Sequence, residues 1–272
     1  MSKSTQYPPL AETFSWRALA YKINYGWRLF ATALAFFLFG IGGLFVGVTL
    51  LPIILLTSKD RDQRINRTRF IIRHSFKIFL NIIEFLGIIK LTTSGLEKLK
   101  TLKGSLVICN HPSLLDVLVI VSQLKNIQCI VKKTLWMNPI ISGMISAAGY
   151  IRNDMDPKVF LECCKQELQC GENILIFPEG TRTTPGESVK LLRSLGHLAL
   201  AANADIQSLV LDCNPVLQPK GRKWYKIPPK RAVFHLQAGR VFLNADYQND
   251  TPRSIRVRVL TRDIQDYYNP RI

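Results

Sequence analysis

Residues 107–120, VICNHPSLLDVLVI, set Asn110, His111, Pro112, Ser113 and Asp116 between two apolar runs. A histidine beside a carboxylate is a general-base pair: the imidazole takes a proton near neutral pH, while the acid fixes its tautomer and offsets the developing charge. The same residues allow a purely structural account, because Ser113 followed three positions later by Asp116 also fits a helix capping box. Five positions along a regular helix rotate a side chain by about 500°, leaving His111 and Asp116 about 140° apart. His111 therefore reaches Asp116 only from ahead of the helix. Pro112 favours that, since the residue before a proline is pushed out of the helical region.

A second group lies in residues 177–182, FPEGTR, directly after NILI. Phe177 ends a strand, Pro178 turns the chain, and Gly180 lets the backbone approach a ligand closely. Arg182 and the turn's amides would suit a phosphate; a tight turn with an incidental Glu179–Arg182 ion pair is the plain alternative. Ser113 has no Gly-x-Ser-x-Gly frame, so it does not read as a nucleophile elbow. The six cysteines lack a Cys-x-x-Cys unit or a neighbouring His cluster, which argues against zinc and against a disulfide framework. They read as small apolar groups in a reducing compartment. His74, His197 and His235 read as packing or surface groups.

The elements that must position these residues alternate along the chain. Strand-like runs fall at residues 105–110, 127–132, 173–177, 206–213, 232–242 and 254–260. Helix-like stretches separate the first four: SLLDVLVIVSQL, NPIISGMISAAGY, DPKVFLECCKQELQCG and GESVKLLRSLGHLALAAN. In the third, Asp156 is the N-cap, Pro157 opens the first turn and Gly171 stops it. Such alternation predicts an α/β fold with a mostly parallel sheet flanked by helices. Function in such sheets gathers at the carboxyl ends of the strands, where both motifs stand.

Ahead of this region, residues 29–58 contain no charged side chain and belong in a bilayer as an N-terminal membrane-embedded helical segment. The apolar run is far longer than a signal peptide's and should persist in the mature protein. Thirty helical residues would span about 45 Å against a hydrocarbon core of about 30 Å. GIGG at 40–43 and Pro52 offer breaks, and cations on both flanks favour a two-helix hairpin with both ends cytoplasmic over one tilted span. Trp16, Tyr21, Tyr25 and Trp27 suit the headgroup level. Residues 59–91 interleave cations with apolar residues, as in a helix lying on an anionic membrane or a solvated basic helix packed on the domain. The net charge of +17 on 272 residues calls for an anionic partner: nucleic acid, membrane surface or an acidic protein. The basic aromatic stretch 220–231, KGRKWYKIPPKR, reads as a headgroup or acidic-carrier contact, or as a solvated loop.

Taken together, NHPSLLD and, sixty-odd residues later, FPEGTR, behind a hydrophobic segment, resemble the glycerolipid acyltransferases that acylate lysophosphatidic acid at its sn-2 hydroxyl. The likeness covers roughly residues 90–240. It implies that His111 and Asp116 are catalytic and that Glu179, Gly180, Thr181 and Arg182 hold the acceptor's glycerol phosphate. AAGYIRND, residues 147–154, offers Arg152 as a further phosphate ligand at compressed spacing, and Pro215 stands later than the family's usual proline. The uncharged segment, the basic stretch after it and the alternation that follows divide the chain into a membrane anchor with an interfacial helix over 1–90 and an acyltransferase domain over 91–272. The donor would be acyl-ACP or acyl-CoA and the acceptor a lysophospholipid, with no cofactor, metal or nucleic acid. The active site would face the cytoplasm from the inner membrane. A different lyso-lipid acceptor, such as a lyso-ornithine lipid or a glycolipid precursor, is the alternative within the class. A basic membrane-associated scaffold or nucleic-acid binder is the alternative outside it, and leaves the paired motifs unexplained.

Overall fold

The computed structural model describes residues 16–182, 191–218 and 221–271. The first fifteen residues of the anchor expected over 1–90, and the start of the helix-like stretch at 186–203, lie outside them.

The uncharged segment is helical throughout. Helix α1 (Trp16–Phe45) passes through a π-helical turn, Val46–Leu50, into α2 (Leu51–Thr57). The break expected at 40–43 does not form. Gly40, Gly42 and Gly43 stay inside α1, and a Cβ on any of them would meet nothing within 4 Å, so no close neighbour demands a turn there. Pro52 falls in the first turn of α2, just after the π turn has already shifted the hydrogen-bond register, so its missing N–H breaks nothing. The chain reverses instead at Ser58, which is extended. Asp60 then caps α3 (Arg61–Phe85) by accepting from the Gln63 amide at 2.7 Å. The two-helix hairpin expected within residues 29–58 therefore does not form: α1–α2 runs through as one helical rod, and the reversal comes after it, before α3. Leu19–Thr57 is long and apolar enough to cross a membrane, and only 11% of its most apolar window is buried, unlike the core helix of a soluble domain.

Helix α3 turns one face onto the domain. Arg69, 7% exposed, donates Nε to the Ala148 carbonyl and Nη2 to Gln128 Oε1, both at 2.9 Å, and pairs through Nη1 with Glu172 at 2.5 Å. Thr68, Ile72, Leu80 and Ile83 are buried beside it, while Phe70, Ile78 and Phe85 point outward. Of the two accounts of this segment, packing on the domain holds for the buried face.

The domain then runs β1 (Ile89–Ser94), β2 (Leu106–Cys109), α4 (Asp116–Gln123), β3 (Ile127–Val131), α5 (Lys133–Trp136), α6 (Pro139–Ala147) and β4 (Ile151–Arg152). It continues through α7 (Pro157–Gln169), β5 (Asn173–Ile176), α8 (Ser194–Ala202), β6 (Ile206–Asn214), β7 (Ala232–Phe242) and α9 (Arg253–Tyr268). The seven strands lie in the order β1-β7-β6-β2-β5-β3-β4, and every neighbouring pair is parallel except β6–β7. Side chains alternate across the sheet: Val107 and Cys109 join α3, α4 and α6 in one core, Leu106 and Ile108 join α7, α8 and α9 in the other. Burial of β2 on both faces explains its unbroken apolar run.

Residues 254–260 correct the strand expected there. SIRVRVL alternates like a strand, but Val257, Leu260, Thr261, Ile264 and Tyr268 are the buried positions, with the spacing of a helix face, and the longer window decides. Strands β1 and β4 were not foreseen. β4 is only two residues long, and β1 (IKLTTS) ends in polar residues at the sheet's edge.

Candidate active site

Strand register places the two motifs side by side. Ile108 of β2 is level with Ile176 of β5, so the residues three positions further on, His111 and Glu179, face each other. Glu179 Oε1 accepts from the His111 amide at 3.3 Å. Asn110 prolongs the pairing of β2 with β6 by side chain: Nδ2 donates to the Leu211 carbonyl and Oδ1 accepts from the Leu211 amide, each at 2.8 Å. This clamp holds the chain extended past the strand's end and delays the helix. Beneath it, the Tyr268 hydroxyl lies 3.1 Å from the Ile108 carbonyl and 2.7 Å from that of Leu209, tying β2 to β6. Burial pushes this phenol well above its ordinary pKa and keeps it a donor.

His111 lies ahead of α4, as Pro112 requires, and its Nδ1 meets Asp116 Oδ2 at 2.7 Å. Asp116 is the first residue of α4 and has no exposed surface. The helix N-terminus favours its charge. Its carboxylate also accepts from the Ser113 amide at 2.7 Å and from the Ser113 hydroxyl at 2.5 Å. An ionised carboxylate only accepts, so this contact assigns the proton to Nδ1 and the ring's lone pair to Nε2. The His111 side chain is 20% exposed, and its ring stacks on Phe177 at 4.2 Å between centroids.

The cap and the dyad thus share one carboxylate. The Asp116-to-Ser113 amide bond is half of a capping box. The other half is absent, because the Ser113 hydroxyl turns to the carboxylate and accepts from the Leu115 amide at 3.1 Å.

The FPEGTR turn closes by a Gly180 amide bond to the Phe177 carbonyl at 3.0 Å, with Gly180 at φ +67°. A Cβ there would come within 2.8 Å of Leu192. Arg182 donates to the Gln218 carbonyl at 2.8 Å and is aimed by the loop that follows β6. Thr181 stands exposed beside it. Arg152 lies elsewhere. It ends β4 level with Val131, at the same carboxyl end of the sheet but three strands from β2, about 14 Å at the usual strand spacing. It grips Asp154 through Nε at 3.0 Å and Nη2 at 2.9 Å, and its guanidinium lies 5.7 Å from the Trp136 ring centre. Direct contacts therefore join His111, Asp116 and Glu179, with Gly180, Thr181 and Arg182 following on the same turn.

Cys109 ends β2 just below. Burial, then the carboxylates of Asp116 and Glu179, push its thiol well above the ordinary range, so it remains protonated. All six cysteines are free. Among the described residues no group of three or more His, Cys, Asp or Glu could hold a metal ion. Sequence reading missed the Asn110 clamp, the Phe177 stack and the Tyr268 prop. Only Asn110 left a trace, as a polar residue ending an apolar strand.

The acyltransferase family model matches residues 90–212. A chloroplastic 1-acyl-sn-glycerol-3-phosphate acyltransferase of Arabidopsis thaliana is 33% identical over 48% of this chain and 38% of its own. The 1-acyl-sn-glycerol-3-phosphate acyltransferase of Helicobacter pylori is 35% identical over 36% of this chain and 44% of its own. The chain thus spans less than half the length of these relatives. A crystal structure of the 1-acyl-sn-glycerophosphate acyltransferase of Thermotoga maritima superposes with a TM-score of 0.67 over 91% of this chain and 97% of its own, at 20% identity, and shares the fold. Over residues 90–212 this chain is similar to the acyltransferase family, and the relatives it resembles there are 1-acyl-sn-glycerol-3-phosphate acyltransferases.

Proposed function

We propose that this protein transfers a fatty acyl group from acyl-ACP or acyl-CoA to the hydroxyl of a lysophospholipid, with 1-acyl-sn-glycerol-3-phosphate as acceptor and phosphatidic acid as product. The observation that carries this is the buried Asp116 carboxylate held 2.7 Å from His111 Nδ1, which leaves Nε2 as the base. Nε2 takes the proton from the acceptor hydroxyl as its oxygen attacks the thioester carbonyl. The tetrahedral intermediate expels the thiolate, and the imidazolium returns the proton to that sulfur. Asp116 stabilises the imidazolium while it exists.

The Glu179–Arg182 turn supports a role in seating the acceptor's phosphate, because Glu179 is tied to the His111 backbone and Arg182 stands three residues on. Holding that end converts a collision into a reaction between placed groups. Arg152 already gives Nε and Nη2 to Asp154 and would join through Nη1. The exposed apolar helix supports membrane residence, and the proposed setting is the inner membrane with the site facing the cytoplasm.

Asp116→Asn tests the dyad. It keeps the side chain's size and removes the charge, so kcat should fall on the order of 10²-fold or more while the melting temperature moves little. A variant that turns over normally would return NHPSLLD to the role of a helix cap.

A further inference from the structure

Where α1 leads into the uncharged segment, Asn24, Trp27 and Arg28 face Gly87 of the α3–β1 turn and Lys230 and Arg231 of the loop before β7, across a cavity of about 330 Å³. Arg28 is 6% exposed, yet its Nε and Nη1 find no hydrogen-bond partner among the described residues. Two buried guanidinium nitrogens without a partner are unfavourable, so among the described residues the site lacks a counter-charge.

The carboxylate of Glu84, on the helix that ends beside the cavity, is already engaged. Glu84 pairs with Arg231 at 3.6 Å and accepts from the Leu91 amide at 3.3 Å. At the carbonyl end of α3, Arg231 takes the Glu84 carbonyl at 3.0 Å and Trp27 Nε1 takes that of Leu86 at 3.3 Å. Arg28, with Lys230 exposed at the rim, is left to bind an anion.

Position identifies the anion's source. Arg28 is the last charged residue before residues 29–58, and Tyr25 and Trp27, suited to a headgroup layer, stand just ahead of it in the chain. Tyr25 contacts the Tyr225 carbonyl at 3.5 Å, and Trp224 stands edge-on to Phe36 at 6.1 Å. We propose that this cavity binds the phosphate of an anionic phospholipid headgroup, apart from the His111 site and independently of the reaction assigned to it. The start of β7 is level with the carboxyl end of β6, Val233 opposite Asn214, so the cavity opens at the same end of the sheet as His111. A lipid held there seats that end of the sheet against the headgroup layer.

Native mass spectrometry of the full chain, released from zwitterionic detergent with equimolar phosphatidylglycerol and phosphatidylcholine, tests this. Phosphatidylglycerol is used because it is neither acceptor nor product of the proposed reaction. One phosphatidylglycerol should be retained and phosphatidylcholine lost. Arg28→Met and Lys230→Ser should each weaken retention on the order of tenfold, as the loss of a charge-assisted hydrogen bond implies. Arg28→Met removes an unpaired charge, so it should melt no lower than the wild type; a clear drop would show a structural partner and contradict the proposal. Equal retention by wild type and both variants, or of both lipids, would overturn it. Displacement by inorganic phosphate at matching concentration would overturn the assignment to lipid and leave a free-phosphate site.

Discussion

Asp116 holds two structures at once through one carboxylate: the His111 ring through Nδ1, and the Ser113 turn through an amide and a hydroxyl. The position of His111 ahead of the helix was legible in the sequence because Pro112 constrains the backbone. The direction of the Ser113 hydroxyl was not, since a rotatable O–H serves a cap or a carboxylate equally well from the same spacing. At the second motif, Arg182 is aimed by its bond to Gln218, the one it makes among the described residues, and is not saturated by it. Arg182→Ala should raise KM for a phosphate-bearing acceptor by about tenfold or more and leave the thioester KM nearly unchanged, since a charged hydrogen bond is worth about 1.5–3 kcal/mol. Steady-state kinetics with each substrate varied in turn checks this, and a change confined to the thioester KM would reassign the turn to the donor.

Elements reach the site from far along the chain, and α9 supplies the most distant support. Tyr268→Phe should lower stability by about 1–3 kcal/mol, because it leaves carbonyls of β2 and β6 without their buried donor. Chemical denaturation of the two proteins checks this, and a variant of unchanged stability would show that the hydroxyl bridges nothing. Elements whose pattern fills a window were readable: the four parallel strands β2, β3, β5 and β6, and α7 with its Asp156 cap and Pro157 start. SIRVRVL misled because seven residues satisfy a two-residue period as well as they satisfy part of a helix face, and only Ile264 and Tyr268 further on break the tie. The turn expected at GIGG misled for another reason. Glycine permits a reversal but does not compel one, and nothing lies within 4 Å of where a Cβ on Gly40, Gly42 or Gly43 would stand, so the helix simply continues through them.

At the scale of the molecule, an exposed apolar helix, a basic helix docked through Arg69 and a three-layer α/β domain place the carboxyl end of one sheet beside two cationic features, the Arg182 turn and the Arg28 cavity. The full chain should resist a carbonate wash of membranes, and complete release would show that Leu19–Thr57 does not anchor it. The central claim is acyl transfer to a lysophospholipid by the His111–Asp116 pair. It is tested most directly by supplying the purified full chain with acyl-ACP or acyl-CoA and a panel of acceptors, including lysophosphatidate and lyso-ornithine lipid, and reading the products by lipid mass spectrometry. The expected result is phosphatidic acid from lysophosphatidate, formed on the order of 10²-fold more slowly by Asp116→Asn. No acylated product from any acceptor with either donor, or equal product from the variant, would contradict it.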